Sequence, residues 1–444
     1  MSKGIKNLWL WVQVTKLGLN SEWLTRLGDC TQLIVGFSGG LDSTVLLHVL
    51  ASHPSLRDKL IAVHINHGIS PNSLAWQNHC EQFCLNNGII FISRSVQFDR
   101  SANIEEGARK ARYAVFSSFL KAQVCLILGH HRDDQAETVL LQLFRGAGVD
   151  GLAAMMELSS LGEGTIARPL LSYSREQLEH YATTHELKWI EDESNQDNKY
   201  SRNYLRHQIM PLIEDKWPGA VANIARTATH CQQAKVNLEE LALQDSPELL
   251  IPNRKLFIEP LKTLSFERIT NVLRVWLKKN HIKRPSTLTF QRLIYEVILA
   301  SPDAAPMVSW NEIQVRRYHE YLYLDKKEVI KLPSSIEWTN FPSPLILEEY
   351  DLHLIATKVN QGLMIPQDAK IVIKFRQGGE LFYWHGQNKQ LKKLLQEWGV
   401  PPWHREIVPL IYVNDQLAAV VGYAVSDLFF SSDGSQAWQL LTNS

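Results

Sequence analysis

The sequence has no excess of charge of either sign. Its 444 residues carry 46 Lys and Arg against 46 Asp and Glu. This balance excludes a basic surface spread over the whole protein, although it leaves room for a local basic surface. With 45% hydrophobic and 21% charged residues, the composition is that of a folded globular protein. At about 150 residues per domain, the length predicts roughly three domains.

Cysteine is scarce, and long hydrophobic runs are absent. The five cysteines include no Cys-x-x-Cys pair, which argues against a disulfide framework and a structural zinc or cluster site. The amino-terminal apolar run Leu8–Val12 is far shorter than the roughly 18 residues that a membrane span needs. We therefore expect a cytoplasmic protein without a membrane segment.

Residues 31–130 alternate between strand and helix patterns. Apolar β-rich runs occupy 33–37, 60–66, 89–96 and 124–129, with helix-like spacing at 45–50, 76–83 and 108–120. Strands that are apolar throughout and separated by helices indicate parallel βαβ units. The pattern predicts an α/β fold with a doubly wound parallel sheet. A further helix from about Asp134 would carry Val139, Leu140, Leu143 and Phe144 on one face.

The rest of the chain changes character three times. The breaker pair Pro218-Gly219 marks the end of a first domain, over 1–217. Residues 218–330 read as a mostly helical domain, and a proline-containing linker is predicted over 331–365. The last part, 366–444, mixes strands with one helix and is predicted to be a small α+β domain.

A glycine-rich loop follows the first strand. It has the sequence Ser38-Gly39-Gly40-Leu41-Asp42-Ser43 and leads directly into a helix. Such a turn presents unpaired backbone N–H groups at the positive end of a helix, which suits a phosphate. The serines add hydroxyl groups, and Asp42 can carry Mg²⁺. Gly-x4-Gly-Lys-Ser/Thr is absent, so the ordinary P-loop that transfers a γ-phosphate is excluded.

A polar cluster, residues 130–138, follows the fourth strand. Because ligands in doubly wound sheets collect at the carboxyl ends of strands, this cluster and the loop could face one crevice. One alternative is a capping box with Asp134 as N-cap and Glu137 three residues later. A zinc site formed by the histidines and aspartates is a further alternative. A third motif places Arg109 and Arg112 three apart on a helix, either facing phosphate or forming a solvated charged face.

Together these motifs resemble the tRNA(Ile)-lysidine synthetases, a family within the PP-loop ATP pyrophosphatases. The resemblance rests on the Ser38–Ser43 loop and on further matching stretches at both ends of the chain. These stretches are 64–68, 106–113, 129–138, 145–148, 168–171, 191–195, 202–206, 376–380 and 392–405.

The resemblance implies that ATP adenylates the wobble cytidine of the isoleucine tRNA with anticodon CAU. Free L-lysine then displaces AMP to form lysidine. It implies ATP bound by Ser38, Gly39, Gly40, Leu41, Asp42 and Ser43, and Mg²⁺ held by Asp42 and Asp134. Arg112 would contact phosphate, and either Asp134 or Glu137 would hold the lysine ammonium group and help to remove its proton.

A tRNA substrate requires local basic surfaces, and two segments provide them. Residues 253–284 have a net charge of +7, and residues 370–405 have +5. Phosphate contacts dominate RNA affinity, although ordinary solvated helix faces are an alternative. The candidate tRNA contacts are Arg202, Arg206, Lys392 and Lys393. Aromatic residues near the second segment, including Phe382 and Trp403, could stack on bases but more often form core. The oligomeric state is left open.

Three rival functions remain. An amidotransferase-type synthetase is disfavoured because no cysteine lies in a glutamine-hydrolysing setting, and a tRNA thiolase because paired cysteines are absent. A non-catalytic RNA-binding protein is disfavoured by the intact loop with Asp42.

Overall fold

The chain forms two compact units, Met1–Leu241 and Ala242–Ser444. The computed structural model describes residues 17–68, 70–97, 104–301, 304, 306–327, 332–348, 352–432 and 437–443. The apolar run Leu8–Val12 lies outside the described residues. No described helix is both long enough and apolar enough to cross a membrane.

The first unit is an α/β structure. Its described strands are β1 (Gln32–Gly36), β2 (Leu60–Asn66), β3 (Ile90–Ser95), β4 (Val124–Ile127), β5 (Leu158–Leu161) and β6 (Gly164–Ala167). Its described helices are α1 (Ser21–Gly28), α2 (Leu41–Ala51), α3 (Pro54–Arg57), α4 (Ser73–Asn87), α5 (Ile104–Phe119), α6 (Arg132–Phe144), α7 (Val149–Leu152), α8 (Arg175–Thr184), α9 (Ser201–Tyr204), α10 (Met210–Lys216) and α11 (Ala220–Asp245), the last of which continues into the second unit. A 3-10 turn spans Glu193–Gln196, and a π-helical turn, Leu205–Ile209, joins α9 to α10.

These strands form one sheet in the order β3-β2-β1-β4-β6-β5. All neighbours are parallel except β5, which runs antiparallel to β6. The order changes direction at β1, which pairs with β2 on one side and with β4 on the other. The doubly wound parallel sheet predicted from the sequence is therefore confirmed, and its switch point lies between β1 and β4.

Helix α6 differs from the prediction at both ends. It begins at Arg132 with His131 as N-cap, so Asp134 is the third helical residue instead of the N-cap. The side chain of Asp134 accepts a hydrogen bond from the backbone N–H of His131 at 3.1 Å. At the other end, Leu143 and Phe144 are exposed, at 51% and 67%, although Val139 on the predicted apolar face is buried.

The second unit begins with helices packed on a small sheet. Its first described strands, β7 (Lys255–Phe257), β8 (Met307–Trp310), β9 (Ile313–Tyr318) and β10 (Tyr321–Lys326), lie in the order β7-β10-β9-β8. The helices are α12 (Phe266–Lys279) and α13 (Thr287–Arg292), followed by a π-helical turn, Leu293–Ile298; Pro247–Leu250 and Pro260–Thr263 form 3-10 turns. The core of this part is centred on the fully buried Trp276 of α12.

The remainder of the second unit is rich in strands. They are β11 (Ser335–Glu337), β12 (Leu345–Leu347), β13 (Leu352–Val359), β14 (Gly362–Met364), β15 (Ile371–Lys374), β16 (Leu381–Trp384), β17 (Gln387–Gln390), β18 (Leu410–Val413), β19 (Gln416–Val420), β20 (Ala424–Val425), β21 (Phe430–Ser431) and β22 (Ala437–Asn443). They form sheets β11-β15-β18-β19-β20, β12-β13-β22-β14-β21 and β16-β17. One helix, α14 (Leu391–Glu397), buries Leu391, Leu394 and Leu395.

The segment 331–365 is not the simple linker that its prolines suggest. It contains β11 to β14, and β13 pairs with β22 over seven positions. Leu354 and Leu363 are fully buried. The local pattern did not reveal these strands, because their partners lie far along the chain.

Candidate active site at the carboxyl ends of β1 and β4

The Ser38–Ser43 loop lies between β1 and α2, as predicted, but its second half already belongs to the helix. Gly40 is the N-cap, and residues 41–43 form the first turn of α2. The hydroxyl groups of Ser38 and Ser43 lie 3.1 Å apart, and the Ser43 hydroxyl donates to the carbonyl of Gly40 at 3.0 Å. The first N–H groups of a helix have no acceptor within it. The loop therefore presents N–H and hydroxyl groups together, as an anion site requires.

Two glycines allow the backbone to pass through positions where a side chain would collide. Gly39 has a φ of +83°, and a Cβ there would lie 2.7 Å from both Cys80 Sγ and Ile190 Cδ1. The Ile190 N–H also donates to the carbonyl of Gly39 at 2.8 Å. Gly129, after β4, approaches the loop so closely that a Cβ would lie 3.0 Å from the carbonyl carbon of Asp42. Cys80 and Ile190 hold the loop, and sequence reasoning missed both because neither is near it in the chain.

Asp42, His131 and Asp134 come together at this point. Their potential ligand atoms lie within 4.8 Å of one another. His131 Nε2 is 3.6 Å from Asp42 Oδ1 and 3.4 Å from Asp134 Oδ2. The Asp133 N–H donates to Nδ1 of His131 at 3.3 Å, so in the neutral ring the proton lies on Nε2, toward these carboxylates. The shared crevice expected from the sequence is thus formed by adjacent strands: Val35 pairs with Ile127 just before the two loops.

The electrostatics of the two aspartates differ. Burial raises the pKa of Asp42, and the neighbouring His131 only partly offsets this effect. Burial also favours the neutral form of Asp134, but His131, Arg202, His130 and Arg206 outweigh it and lower the pKa of Asp134 to about 2. For His131, burial is outweighed by Asp133, Asp134 and Asp42, which raise its pKa. The surroundings therefore favour the charged form of Asp134, whereas burial opposes the charge of Asp42, and a cation bound beside Asp42 would favour that charge.

The site has oxygen ligands suited to Mg²⁺. Oδ1 of Asp42 is buried and has no hydrogen-bond partner among the described residues. Asp134 supplies a second carboxylate close by. Mg²⁺ prefers one or two carboxylates and substrate phosphates, so the pair Asp42 and Asp134 fits it. Zinc would need further nitrogen or sulfur ligands in a closed geometry, and this cluster provides one imidazole.

Glu137 lies at the centre of a separate ion-pair network. It is 2% exposed, and it accepts hydrogen bonds from Arg202 Nε at 2.8 Å and from Arg206 Nε at 2.6 Å. Arg206 Nη2 also donates to Asp134 Oδ1 at 3.1 Å, which connects the network to the aspartates. Arg202 and Arg206 are about one-quarter exposed. Both guanidinium groups are therefore paired with carboxylates, and neither stands free on the surface.

Arg112 is exposed on α5, on the side of the crevice. Burial lowers the pKa of His67, and the positive charge of Arg112 lowers it further. Burial likewise lowers the pKa of His130 to about 3, with Arg112 among the smaller contributions. Arg112 therefore lies within electrostatic reach of two histidines that follow β2 and β4.

Lys392 and Lys393 lie on the first turn of α14 in the second unit. Both are exposed, and neither forms an ion pair with another described residue. In contrast, Phe382 beside this helix is fully buried and belongs to the core. In the other basic segment, Arg268 pairs with Asp245 and Lys262 pairs with Glu259, so part of its charge is neutralised locally.

Three protein families match separate parts of this chain. Residues 19–213 match the PP-loop domain, residues 256–323 match the TilS substrate binding domain, and residues 371–442 match the TilS substrate C-terminal domain. These matches agree with the α/β first unit and with the two parts of the second unit.

Curated relatives cover nearly the whole chain. The tRNA(Ile)-lysidine synthase of Legionella pneumophila (strain Philadelphia 1) is 64% identical over 431 residues, covering 97% of this chain and 100% of the relative. The enzyme of the same name from Coxiella burnetii is 39% identical, covering 94% of this chain and 95% of the relative.

Solved structures resemble parts of the chain. The U34-tRNA thiolase NcsA from Methanococcus maripaludis is 21% identical with a TM-score of 0.39, covering 48% of this chain and 75% of that chain. A TilS C-terminal domain is 20% identical with a TM-score of 0.19, covering 23% of this chain and 88% of that chain.

Proposed function

Because this chain belongs to the tRNA(Ile)-lysidine synthase family, it carries out ATP-dependent formation of lysidine on tRNA(Ile), and we propose that the reaction takes place at the carboxyl ends of β1 and β4. The observation that carries this assignment is the meeting of the Ser38–Ser43 loop with the Asp42–His131–Asp134 cluster. An anion-binding helix start and two neighbouring carboxylates, of which Asp134 is buried and Asp42 half-buried, suit the cleavage of a triphosphate.

The proposed reaction has two steps. In the first, the C2 carbonyl oxygen of the wobble cytidine in the CAU anticodon bonds to the α-phosphorus of ATP, and the bond to the β-phosphate breaks, releasing pyrophosphate. In the second, the ε-amine of free L-lysine bonds to C2, loses a proton, and displaces AMP. The product is lysidine.

The loop binds the phosphates in this scheme. Ser38, Gly39, Gly40, Leu41, Asp42 and Ser43 surround the start of α2, where N–H and hydroxyl groups converge. Donors placed in advance around a leaving pyrophosphate stabilise the charge that develops as the bond breaks. Asp42 and Asp134 would hold Mg²⁺, which, when bound, neutralises the pyrophosphate. Arg112, which is exposed on α5 and lowers the pKa of His67, would contact phosphate in this scheme.

The two carboxylates of α6, Asp134 and Glu137, have different surroundings, which supports different roles in the reaction. Asp134 faces Asp42, whereas Glu137 faces the guanidinium groups of Arg202 and Arg206. We assign the metal to Asp134 and the lysine ammonium group to Glu137. An ammonium can replace one guanidinium as the donor to Glu137, because both are cations that form charge-assisted hydrogen bonds. The released arginine would then be available to phosphate, consistent with the tRNA role expected for Arg202 and Arg206.

The exposed Lys392 and Lys393 support a role for the second unit in tRNA binding. Unpaired lysines on a surface bind phosphate without first breaking an ion pair. A cytoplasmic location follows from the tRNA substrate and remains part of the proposal.

Pyrophosphate release tests the reaction. The purified protein should release pyrophosphate from ATP rapidly with tRNA(Ile) of anticodon CAU and L-lysine together, and should form one AMP per lysidine. tRNA or lysine alone, and a methionine tRNA with the same anticodon, are the controls. Equal release without tRNA would contradict the proposal.

A further inference from the structure

A groove lies at the carboxyl-terminal end of α6, away from the phosphate loop. It has a volume of about 510 Å³, within the range of roughly 300–1,000 Å³ found for small-molecule sites. Its walls come from the end of α6 and from segment 198–209, in which a turn at 198–200 leads into α9 and the π-helical turn. The proposed reaction assigns no role to this groove.

The lining combines aromatic rings with positive charge. Phe144 and Tyr204 are 67% and 51% exposed, which is unusual for large apolar side chains at a concave site. Arg145 and Lys199 lie beside them, and neither forms an ion pair with another described residue. Exposed rings stack on bases, and unpaired cations bind phosphates, so this pairing is typical of sites for single-stranded nucleic acid.

The groove and the active site share one face of α6. Residues 134, 137, 141 and 144 recur at helical spacing. Asp134 and Glu137 are the carboxylates of the active site, and Leu141 and Phe144 line the groove. At 1.5 Å per residue, Phe144 lies about 10 Å along the helix axis from Glu137. An RNA strand with one base at Asp134 and Glu137 would therefore reach the groove within a few nucleotides.

We propose that this groove binds a nucleotide of the anticodon loop that neighbours the wobble cytidine. The base lies against Tyr204 and Phe144, and its phosphate lies against Arg145 and Lys199. The inference rests on the proposed function for the identity of the RNA, but the recognition itself rests on the lining. It also gives a role to the Arg145-Gly146-Ala147-Gly148 motif, whose first residue lines the groove.

Stacking is tested by pairing a protein change with an RNA change. Binding of the full-length protein to labelled tRNA(Ile) transcripts is measured without ATP or lysine. Tyr204→Ala should weaken binding about 10-fold, as expected when one stacked base loses its platform, whereas Tyr204→Phe should bind like wild type. Two further RNAs carry an abasic nucleotide directly 5′ or directly 3′ of the wobble cytidine. One of these two RNAs should bind wild type more weakly by the same factor and should lose nothing further with Tyr204→Ala.

Charge is tested by salt dependence. Arg145→Ala and Lys199→Ala should each lower the slope of log K against log salt by about 0.7, the value for each neutralised phosphate of a single strand. Lys121→Ala is the matched control, because Lys121 is exposed just before β4 and does not line the groove. The control should leave affinity and slope unchanged.

The outcomes separate this proposal from the proposed function. Equal losses for Tyr204→Ala on intact and abasic transcripts, or unchanged slopes for both basic variants, would overturn the groove assignment. Loss of a homodimer in Tyr204→Ala with unchanged RNA affinity would assign the groove to a second copy of the chain and also overturn it. If wild type forms no lysidine, the proposed function fails, while the binding measurements still decide the groove.

Discussion

The charged side chains near the starts of α6 and α14 differ in burial and in pairing. On α6, Asp134 and Glu137 are 8% and 2% exposed, and each is paired with arginines that come from a distant part of the chain. On α14, Lys392 and Lys393 are exposed and have no carboxylate partner among the described residues. Buried, paired charges hold a site in one geometry, whereas exposed, unpaired charges remain available to a partner.

This contrast predicts different consequences of mutation. A change among Asp42, Asp134 and Glu137 or in the loop beside them should affect chemistry, stability or both. A change on α14 should affect only the binding of an anionic partner and its response to salt. Four variants test the difference.

Asp42→Asn should have the largest effect on chemistry. The substitution removes one half-buried carboxylate charge while keeping the shape of the side chain, so we expect adenylation to fall about 10³-fold. The melting temperature should stay close to that of wild type, because burial already disfavours the charge of Asp42. Pyrophosphate release and thermal unfolding measure the two quantities. Asp58→Asn, at an exposed position after α3, is the control, and a near wild-type rate for Asp42→Asn would disprove the loop assignment.

Glu137→Ala should have the largest effect on stability. It removes the carboxylate that accepts from the Nε groups of Arg202 and Arg206, both partly buried, and we expect the free energy of unfolding to fall by about 3 kcal/mol. Chemical denaturation measures this loss. The matched control is Glu179→Ala, which removes the exposed pair with Arg175 and should cost less than about 1 kcal/mol. Equal losses for the two variants would show that burial of the network contributes nothing.

Gly39→Ala should strain the Ser38–Ser43 loop, which lies beside the Asp42–His131–Asp134 cluster. A left-handed conformation costs about 1–2 kcal/mol for a residue with a Cβ, and the overlap with Cys80 and Ile190 adds to it. We expect the free energy of unfolding to fall by about 2 kcal/mol and the KM for ATP to rise. Gly219→Ala has a similar φ, +85°, but open space around it, so it should show the backbone cost alone. If Gly219→Ala lowers the free energy of unfolding as much as Gly39→Ala does, the packing of Cys80 and Ile190 against the loop contributes nothing to stability.

The double variant Lys392→Glu/Lys393→Glu should leave stability and ATP affinity unchanged. It should lower tRNA affinity and reduce the slope of log K against log salt by roughly 0.7 to 0.9 for each phosphate that the protein no longer neutralises. Titration of labelled tRNA at several salt concentrations gives the slope. Lys358→Glu, at an exposed position on β13, serves as the control. An unchanged slope would remove α14 from the tRNA-binding surface.

The comparison also explains where sequence reasoning succeeded. The positions of β1, β2 and β4 and the loop after β1 follow from local patterns, because apolar strands and glycine-rich turns have short-range signatures. The exposure of Lys392 and Lys393 could likewise be predicted, since they alternate with the buried leucines of α14. The core position of Phe382 agreed with the ordinary behaviour of aromatic residues.

Other features depended on contacts between distant segments. Residues 331–365 looked like a linker because β13 is stabilised by β22, whose paired residues lie 78 to 90 positions later. Leu143 and Phe144 looked like core residues, but α6 projects them beyond its packed face. Periodicity shows that a face is apolar and cannot show whether another element covers it.

The sequence by itself determined the doubly wound sheet and the composition of the loop and of the polar cluster after β4. Only the tertiary structure decided that β1 and β4 are neighbours, which brings Asp42 to His131 and Asp134. It likewise decided that Arg202 and Arg206 meet Glu137 instead of solvent. The physical reason is that strand order and ion-pair choice depend on how separate segments pack together, and these energies leave no trace in the local pattern of residues.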